Sequence, residues 1–436
     1  MNDEANSVAA DTLRDQRPGL VVIANCMAPY RADFHARLVA GIPELQLHSL
    51  ITHGPAEFNW EMKIPDSINA TYYGMHNDSP IASPLRFPLR EWHKGSQLID
   101  YLRHHDTRAV ILLGYRYLSY LRVIRWCHRA GIPLFYHNDS NIRSERFLSW
   151  MRLSTKNLVY KWWMPRVTGI FSMGKLGDQF FLQYGANPKR IYHVPWTPNY
   201  DHYVQVEPNA LREFRQKFHL DEKRKYILYS GRLVSVKRVD VLVDAFVQVA
   251  DQRPDWDLLV VGDGVLRNAL LSRVPEKFRH RVIWTGFLQE RECAVAYHAA
   301  EFLVLPSEME PWALVVPEAL AAGRPVVASD SVGAAYELIN DHQNGCIFPV
   351  NDVSALARCL LQATDEASLR KWQANARPAL DAWRKQVDPI VEVRRALEDI
   401  RVLERAQANE SATGHGDAVA SSCSLPAPSG SRKSTD

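Results

Sequence analysis

Arg232 and Lys237 lie just past the apolar run YILYS, which ends on Gly231. Gly231 frees the turn where the chain leaves a strand. Two cations on that loop offer fixed positive charge and donors for a diphosphate, because Arg can engage two oxygens at once. The same cations would equally suit a solvated crossover loop. Further on, EMEPWALVVPE places Glu310 eight positions before Glu318. Pro317 lacks an N–H, which is harmless only in a first helical turn, so the spacing predicts a helix beginning near Leu314 or Val315. Glu310, Pro311, Trp312 and Ala313 then form an approach loop, Glu318 sits one turn in, and the free N–H groups of the helix start offer an anion site. Carboxylates accept paired hydrogen bonds from vicinal diols. Phosphate and diol recognition in one place implies a nucleotide sugar. An acidic helix start favoured by the helix dipole is the plainer alternative. Gly286 and Phe287, closing WTGF, would bring backbone close to a planar base.

These residues need strands that end beside one another. Short apolar runs alternate with helix-like stretches throughout: LVVIANC (20–26), LQLHSLIT (45–52), AVILLGY (109–115), PLFYHND (133–139), GIFSMG (169–174) and RIYHVP (190–195) in the first half. YILYSG, DLLVVGDG, RVIWTGF, EFLVLPS and PVVASD follow in the second. Strand–helix alternation with near-continuous apolar strands predicts mostly parallel sheets covered on both faces, here an α/β chain of two doubly wound domains. Ligands of such sheets bind outside the carboxyl ends of the strands. The predicted layout is a tail at 1–18, a first domain at 19–195, a Pro-rich linker at 196–222, a second, five-stranded domain at 223–385, a closing amphipathic helix at 386–408, and a disordered tail at 409–436.

Taken together, GRLVSVKRVDVLVDAF, VVGDGVLRNAL, VIWTGFLQERE, FLVLPSEMEPWALVVPEALAAGRPVVASDSVGAAYELI and NGCIFPVND, in that order between Tyr226 and Asp352, resemble the donor half of the retaining group 1 glycosyltransferases of family 4. The resemblance implies a GT-B fold, two Rossmann-like domains facing across a cleft. It implies that Arg232 and Lys237 hold the donor diphosphate and that Glu310, with backbone at Trp312, Ala313 and Leu314, meets the transferred sugar. Glu318 would hold the ribose, and Gly286 and Phe287 the base. Ala313 stands where the family carries Gly, which bears on how closely a sugar approaches the backbone. Retaining transfer from a nucleoside-diphosphate sugar is the implied chemistry.

In the first half, CMAPYRADF takes the place of the family's glycine-rich loop without its Gly-Gly, and Pro29, Tyr30 and Arg31 would stiffen that loop and face the cleft. A turn followed by a helix start is the alternative. PLFYHNDSNIRSE sits where the family often carries a His or an Asp-containing loop near the transferred sugar, making His137 and Asp139 the catalytic candidates beside Glu310. The stretch 146–166 is basic and aromatic. Arg146, Arg152, Lys156, Lys161 and Arg166 have no obvious acid to balance them, and Trp150, Leu153, Leu158, Trp162 and Trp163 offer apolar area. Such a segment suits an anionic membrane surface carrying a lipid-linked acceptor, or a core helix with a solvated basic face.

Composition narrows the remaining classes. A net charge of +3 argues for neither nucleic acid nor an acidic partner, and no nucleic acid is expected. The six cysteines form no C-x-x-C pair and read as small apolar fillers in a reducing compartment. No metal is expected, because the two cations supply the charge a diphosphate needs and no D-x-D pair follows a first-half strand. The start of the chain has no basic, apolar leader pattern and no long apolar span occurs, so the expected address is cytoplasmic, peripheral at the inner membrane face if 146–166 docks there. GDG in VVGDGVLR lacks the third Gly of a nicotinamide-binding fingerprint and falls on the wrong strand. A nucleotide-sugar epimerase or a non-catalytic nucleotide-sugar-binding scaffold are the competing readings.

Overall fold

The computed structural model describes residues 17–54, 64–65, 67–73, 88–114, 117–147 and 149–404. The expected tails lie outside these apart from Arg17 and Pro18. In the first half, β1 (Gly19–Ala24), β2 (Gln46–Ile51), β3 (Asn69–Tyr72), β4 (Thr107–Leu113), β5 (Leu134–His137), β6 (Gly169–Ser172) and β7 (Ile191–His193) form a parallel sheet ordered β3-β2-β1-β4-β5-β6-β7. In the second, β8 (Lys225–Ser230), β9 (Trp256–Val261), β10 (Val282–Gly286), β11 (Phe302–Leu305), β12 (Val326–Ser329) and β13 (Gly345–Phe348) are ordered β10-β9-β8-β11-β12-β13. Strand order reverses between β1 and β4 and between β8 and β11. Connections leave in opposite directions there, which opens a crevice at the carboxyl ends.

The central strands are buried on both faces, as their unbroken apolar runs require. Alternate residues of the first sheet feed two separate cores. Val21, Ile23, Val110, Leu112 and Tyr136 pack under the helices Pro88–His104, Leu118–Ala130 and Trp150–Trp163. Leu20, Val22, Ile111 and Phe135 pack on the opposite face with Phe34 and Leu38 of the helix Pro29–Gly41.

Four expectations need correction. The second sheet has six strands, not five, because β13 (GCIF) was missed, and β3 (NATY) adds an edge to the first. Both are edge strands of only four residues; β3 is half-exposed and polar in part, whereas β13 is buried but too short, after Gly345, to stand out as an apolar run. The stretch read as linker holds the helix Pro208–Lys217, which packs on the helix Glu290–Ala299 of the second domain. The closing helix begins at Pro389 and breaks after Glu398 before residues 402–404 turn helical again, and it crosses back onto the first domain, where Arg394 pairs with Glu44. Finally, Cys346 on β13 and Cys359 on the following helix are joined as a disulfide, with Cα atoms 6.1 Å apart. The strand-to-helix turn brings these two together, so they are not independent apolar fillers. Cys26 and Cys127 are buried thiols as expected.

Candidate active site

Lys237 leaves the loop after β8 and Glu310 the loop after β11, the two strands flanking the second switch point. Their side chains form an ion pair, and Ser307 Oγ donates to the same Glu310 oxygen at 3.3 Å. With side-chain exposures of 15% and 12%, both charges are largely withdrawn from water and each depends on the other. An ammonium has three donors, so Lys237 can hold Glu310 and still present N–H to a phosphate. Arg232 is exposed on the same loop, and its carbonyl accepts from Tyr229 OH at 2.9 Å.

Three strand ends are knitted together around this loop. Gly231 N–H donates to Val261 O at 3.0 Å, Gly262 N–H to Gly286 O at 2.8 Å, and Leu233 N–H to Asp263 O at 2.9 Å. A Cβ on Gly262 would lie 1.9 Å from Gly231 O, and one on Gly264 would lie 2.5 Å from Leu233 O. The glycines of GDG therefore let the β8 and β9 loops touch, which is their physical role here. Phe287, just past β10, is 40% exposed at the rim.

The predicted helix starts where Pro317 demanded, as Val315–Ala321. At seven residues it is too short to carry a full macrodipole, so Arg232 and Lys237 dominate the positive field rather than the helix start. Glu318 is half-buried and accepts from Tyr297 OH at 2.8 Å. Burial, reinforced by nearby Glu290 and opposed by the Tyr297 bond, pushes its pKa up to about 7. Trp312 points into the protein, 4% exposed, with Nε1–H donating to Trp196 O at 2.8 Å. Only its backbone is placed to meet a ligand. Ala313 adopts φ +83°, a left-handed conformation that costs an L-residue about 1–2 kcal/mol. The loop keeps a geometry suited to glycine although its residue is alanine.

Across the cleft, Pro29, Tyr30 and Arg31 are the first turn of the helix Pro29–Gly41 rather than a stiffened loop, with Pro29 opening the helix. Arg31 donates to Cys26 O at 2.6 Å and Asn25 Oδ1 at 2.7 Å, and its guanidinium lies 5.7 Å from the rings of Tyr30 and Trp196. Asp139 is exposed in the cleft. Desolvation by the surrounding protein raises its pKa, while Arg31 opposes the shift. His137 behaves differently. It is 1% exposed, its ring lies 4.3 Å from that of Trp196 at a tilt of 41°, and its Nε2–H donates to Val194 O at 2.8 Å. Burial lowers its pKa to about 3 and keeps it neutral. The Nε2 bond ties the β5 and β7 ends together, while Nδ1 of the same ring is buried with no hydrogen-bond partner, and Asp139 is the exposed member of the pair.

The sequence reading missed the residues that join the halves. Asn141 Nδ2 donates across the interface to Glu310 O at 3.4 Å and Ser331 O at 3.2 Å. Arg146 pairs with Asp330 at 3.3 Å, Arg143 lies 5.0 Å from the Tyr336 ring, and Lys175 N–H donates to Glu337 Oε1 at 2.7 Å. For Asn141, Arg143 and Arg146 the only sequence signal was the polar stretch NDSNIRSER after a strand, and Lys175, at the start of the helix Lys175–Gln183, had none. In 146–166, Arg146 thus has an acid, and Lys156 pairs with Glu145 at 2.7 Å, so the expectation of unbalanced cations fails for both. Trp163 is fully buried, whereas Trp150 and Leu158 are 75% and 73% exposed.

Residues 211–378 match the family described as Glycosyl transferases group 1. Alpha-D-kanosaminyltransferase of Streptomyces kanamyceticus is 30% identical over 193 residues, 44% of this chain and 49% of that protein. The chain spans about half or less of the length of the first curated relatives it matches. Sucrose-phosphate synthase of Thermosynechococcus elongatus aligns over 90% of this chain and all of its own, with a TM-score of 0.70 and 18% identity. Anabaena HepE in complex with UDP-glucose aligns over 88% of this chain and 99% of its own, with a TM-score of 0.65 and 15% identity. The segment 211–378, which matches the group 1 glycosyl transferase family, carries the Lys237–Glu310 pair, and the chain as a whole has the two-domain GT-B fold.

Proposed function

We propose that the protein is a retaining glycosyltransferase of the hexosyltransferase type that moves a sugar from a nucleoside-diphosphate sugar to a hydroxyl of a glycan or lipid-linked acceptor, in cell-envelope polysaccharide or glycolipid synthesis. The pairing of Lys237 with Glu310 at the switch point of the second sheet carries this reading. A cation and a carboxylate are presented together where a phosphate-linked sugar would need both. Lys237 and Arg232 stabilise the departing diphosphate as preorganised charge. Glu310 and the backbone of 312–314 meet the sugar, Glu318 the ribose hydroxyls, and Gly286 and Phe287 the base. The bond from the anomeric carbon to phosphate breaks, the acceptor oxygen bonds to the same face, and the acceptor proton leaves with the diphosphate. No metal is invoked, since the two cations supply the charge. UDP-glucose bound to HepE and the sugar-transferring relatives support a nucleotide sugar as donor.

The acceptor side is the first domain. Trp150, Met151 and Leu158 stand exposed on the helix Trp150–Trp163, with Lys161 exposed beside them, and Leu89 and Trp92 stand exposed on Pro88–His104, over the same face of the sheet. That combination suits an anionic membrane surface, with the protein peripheral on the cytoplasmic side. Among the described residues no helix is long and apolar enough to cross a membrane.

A thermal-shift panel of UDP, GDP, ADP and TDP with their sugars tests the reading. Stabilisation by one base series, with turnover lost in Glu310→Gln while its melting temperature stays near wild type, is expected. Binding with undiminished turnover in Glu310→Gln would remove Glu310 from the site. Binding with no transfer at all would leave a nucleotide-sugar-binding scaffold.

A further inference from the structure

Asn141 is 2% exposed and sits where the first domain touches the loop that carries Glu310. Its amide orientation is fixed, because Oδ1 accepts from Arg143 N–H at 2.8 Å, which leaves Nδ2 to donate. Both Nδ2 bonds go to carbonyls of the second domain, Glu310 O and Ser331 O. The Glu310 carbonyl also accepts from Gly333 N–H at 3.1 Å, and Trp312 O accepts from Ala334 N–H at 2.8 Å. A Cβ on Gly333 would lie 2.0 Å from Pro311 O and 3.3 Å from Asn141 Nδ2. The chain has a glycine where the 331–334 segment, the Glu310 loop and Asn141 converge. Around them, Arg143 and Arg146 at Asp330 and Lys175 at Glu337 hold the same edge of the two domains together.

We propose that Asn141 is a positioning residue for the transfer reaction: its amide orients the Glu310 peptide from the opposite domain, so that Glu310 and the backbone of 312–314 are fully placed only when the domains are closed. The inference rests on the transferase reading for its chemistry, but not for its geometry. Two hydrogen bonds to adjacent segments fix a peptide that would otherwise be held from one side only. A misplacement of a sugar-contacting group by a fraction of an ångström lowers the rate of the bound complex more than it weakens binding.

Asn141→Asp keeps the shape and the bond from Arg143 N–H but turns an oxygen on the two carbonyls. Hydrogen exchange on the full chain without any ligand is expected to quicken in peptides covering 308–316 and 331–336. Hydrolysis of UDP-glucose or GDP-mannose is expected to show kcat lowered about tenfold or more with KM within about threefold. Asn141→Ser retains a shorter donor and should fall between the two, and it carries the comparison if the aspartate variant does not fold. Unchanged exchange in those peptides overturns the proposal whatever nucleotide binds. So does faster exchange with an unchanged kcat, which would make Asn141 a structural clamp alone. A wild type that hydrolyses neither donor counts against the transferase reading, while the exchange result still decides whether Asn141 holds the loop.

Discussion

Glu318 shows how burial sets a residue's behaviour before any ligand arrives. Its carboxyl, raised from 4.5 to about 7, is held in the neutral form by the fold. Such a group favours the folded state fully below its unfolded pKa, and that contribution is lost as pH rises from about 4.5 through 7. For a half-buried group the loss is on the order of 1–3 kcal/mol. Glu318→Gln should therefore gain on wild type by about that amount between pH 5 and pH 8 in urea denaturation. Ligand binding should run the opposite way. If ribose hydroxyls donate to the ionised carboxylate, nucleotide affinity rises between pH 6 and 8 and levels off above, and the glutamine variant shows a flat profile by calorimetry. A nucleotide affinity that falls over the same interval would detach Glu318 from the ribose. At this scale the sequence was informative wherever a residue had to sit at a strand end or a helix start. Pro317 located the start of Val315–Ala321 because a missing N–H is tolerated in few places. The burial of His137 was not legible, because a histidine at a strand end carries no mark of how far its ring is sealed from water. Here Trp196 and Val194, distant in sequence, decided it.

Elements bring those residues together through loops that pack more tightly than side chains allow, and Ala313 is where that demand meets a residue unsuited to it. Its φ of +83° costs about 1–2 kcal/mol, whereas glycine would relieve the strain but add entropy to the unfolded chain by roughly 0.5–1 kcal/mol. Ala313→Gly should thus change stability by no more than about 1 kcal/mol. Ala313→Val, with a β-branched side chain at positive φ, should lose about 2 kcal/mol or more. Equal stability of the glycine and valine variants by chemical denaturation would show that the loop does not hold this backbone. Elements with a double-sided core, such as GLVVIA and FLVL, were legible because burial on both faces writes an unbroken apolar run. The edge strands β3 and β13 were not, since NATY is half-exposed and partly polar and GCIF, though buried, is a run of only three apolar residues after a glycine. Pro208–Lys217 was hidden in a Pro-rich stretch because Pro208 opens the helix rather than breaking one.

At the scale of the whole molecule, the chain passes between domains twice. It crosses near Val194–Tyr200 and returns before Pro389–Glu398, where Arg37 of the first domain reaches both segments, to Thr197 at 2.9 Å and Asp388 at 3.3 Å. The candidate site depends on this arrangement, because Trp312 is anchored on the crossover through Trp196 O and the Glu310 loop on the first domain through Asn141. None of these contacts had a sequence signature, since each joins polar groups more than a hundred positions apart. The outer face of the first domain, turned away from this seam, is where the proposed acceptor surface lies. Trp150, Leu158 and Trp162 fall on one side of their helix at spacings of eight and four, and the buried Tyr160 and Trp163 hold that helix to the core. Exposed aromatic and aliphatic side chains beside Lys161 and Arg152 gain both apolar burial and attraction at an anionic bilayer, the latter about 1 kcal/mol per cation near the surface. Replacing Trp150 and Leu158 with Ser leaves the core untouched, so melting temperature and nucleotide binding should hold. Sedimentation with phosphatidylglycerol vesicles should fall severalfold, and wild-type sedimentation should weaken as salt shortens the Debye length. If the double variant sediments like wild type, or if neutral phosphatidylcholine vesicles capture the protein equally well, the acceptor does not reach the cleft by way of this face.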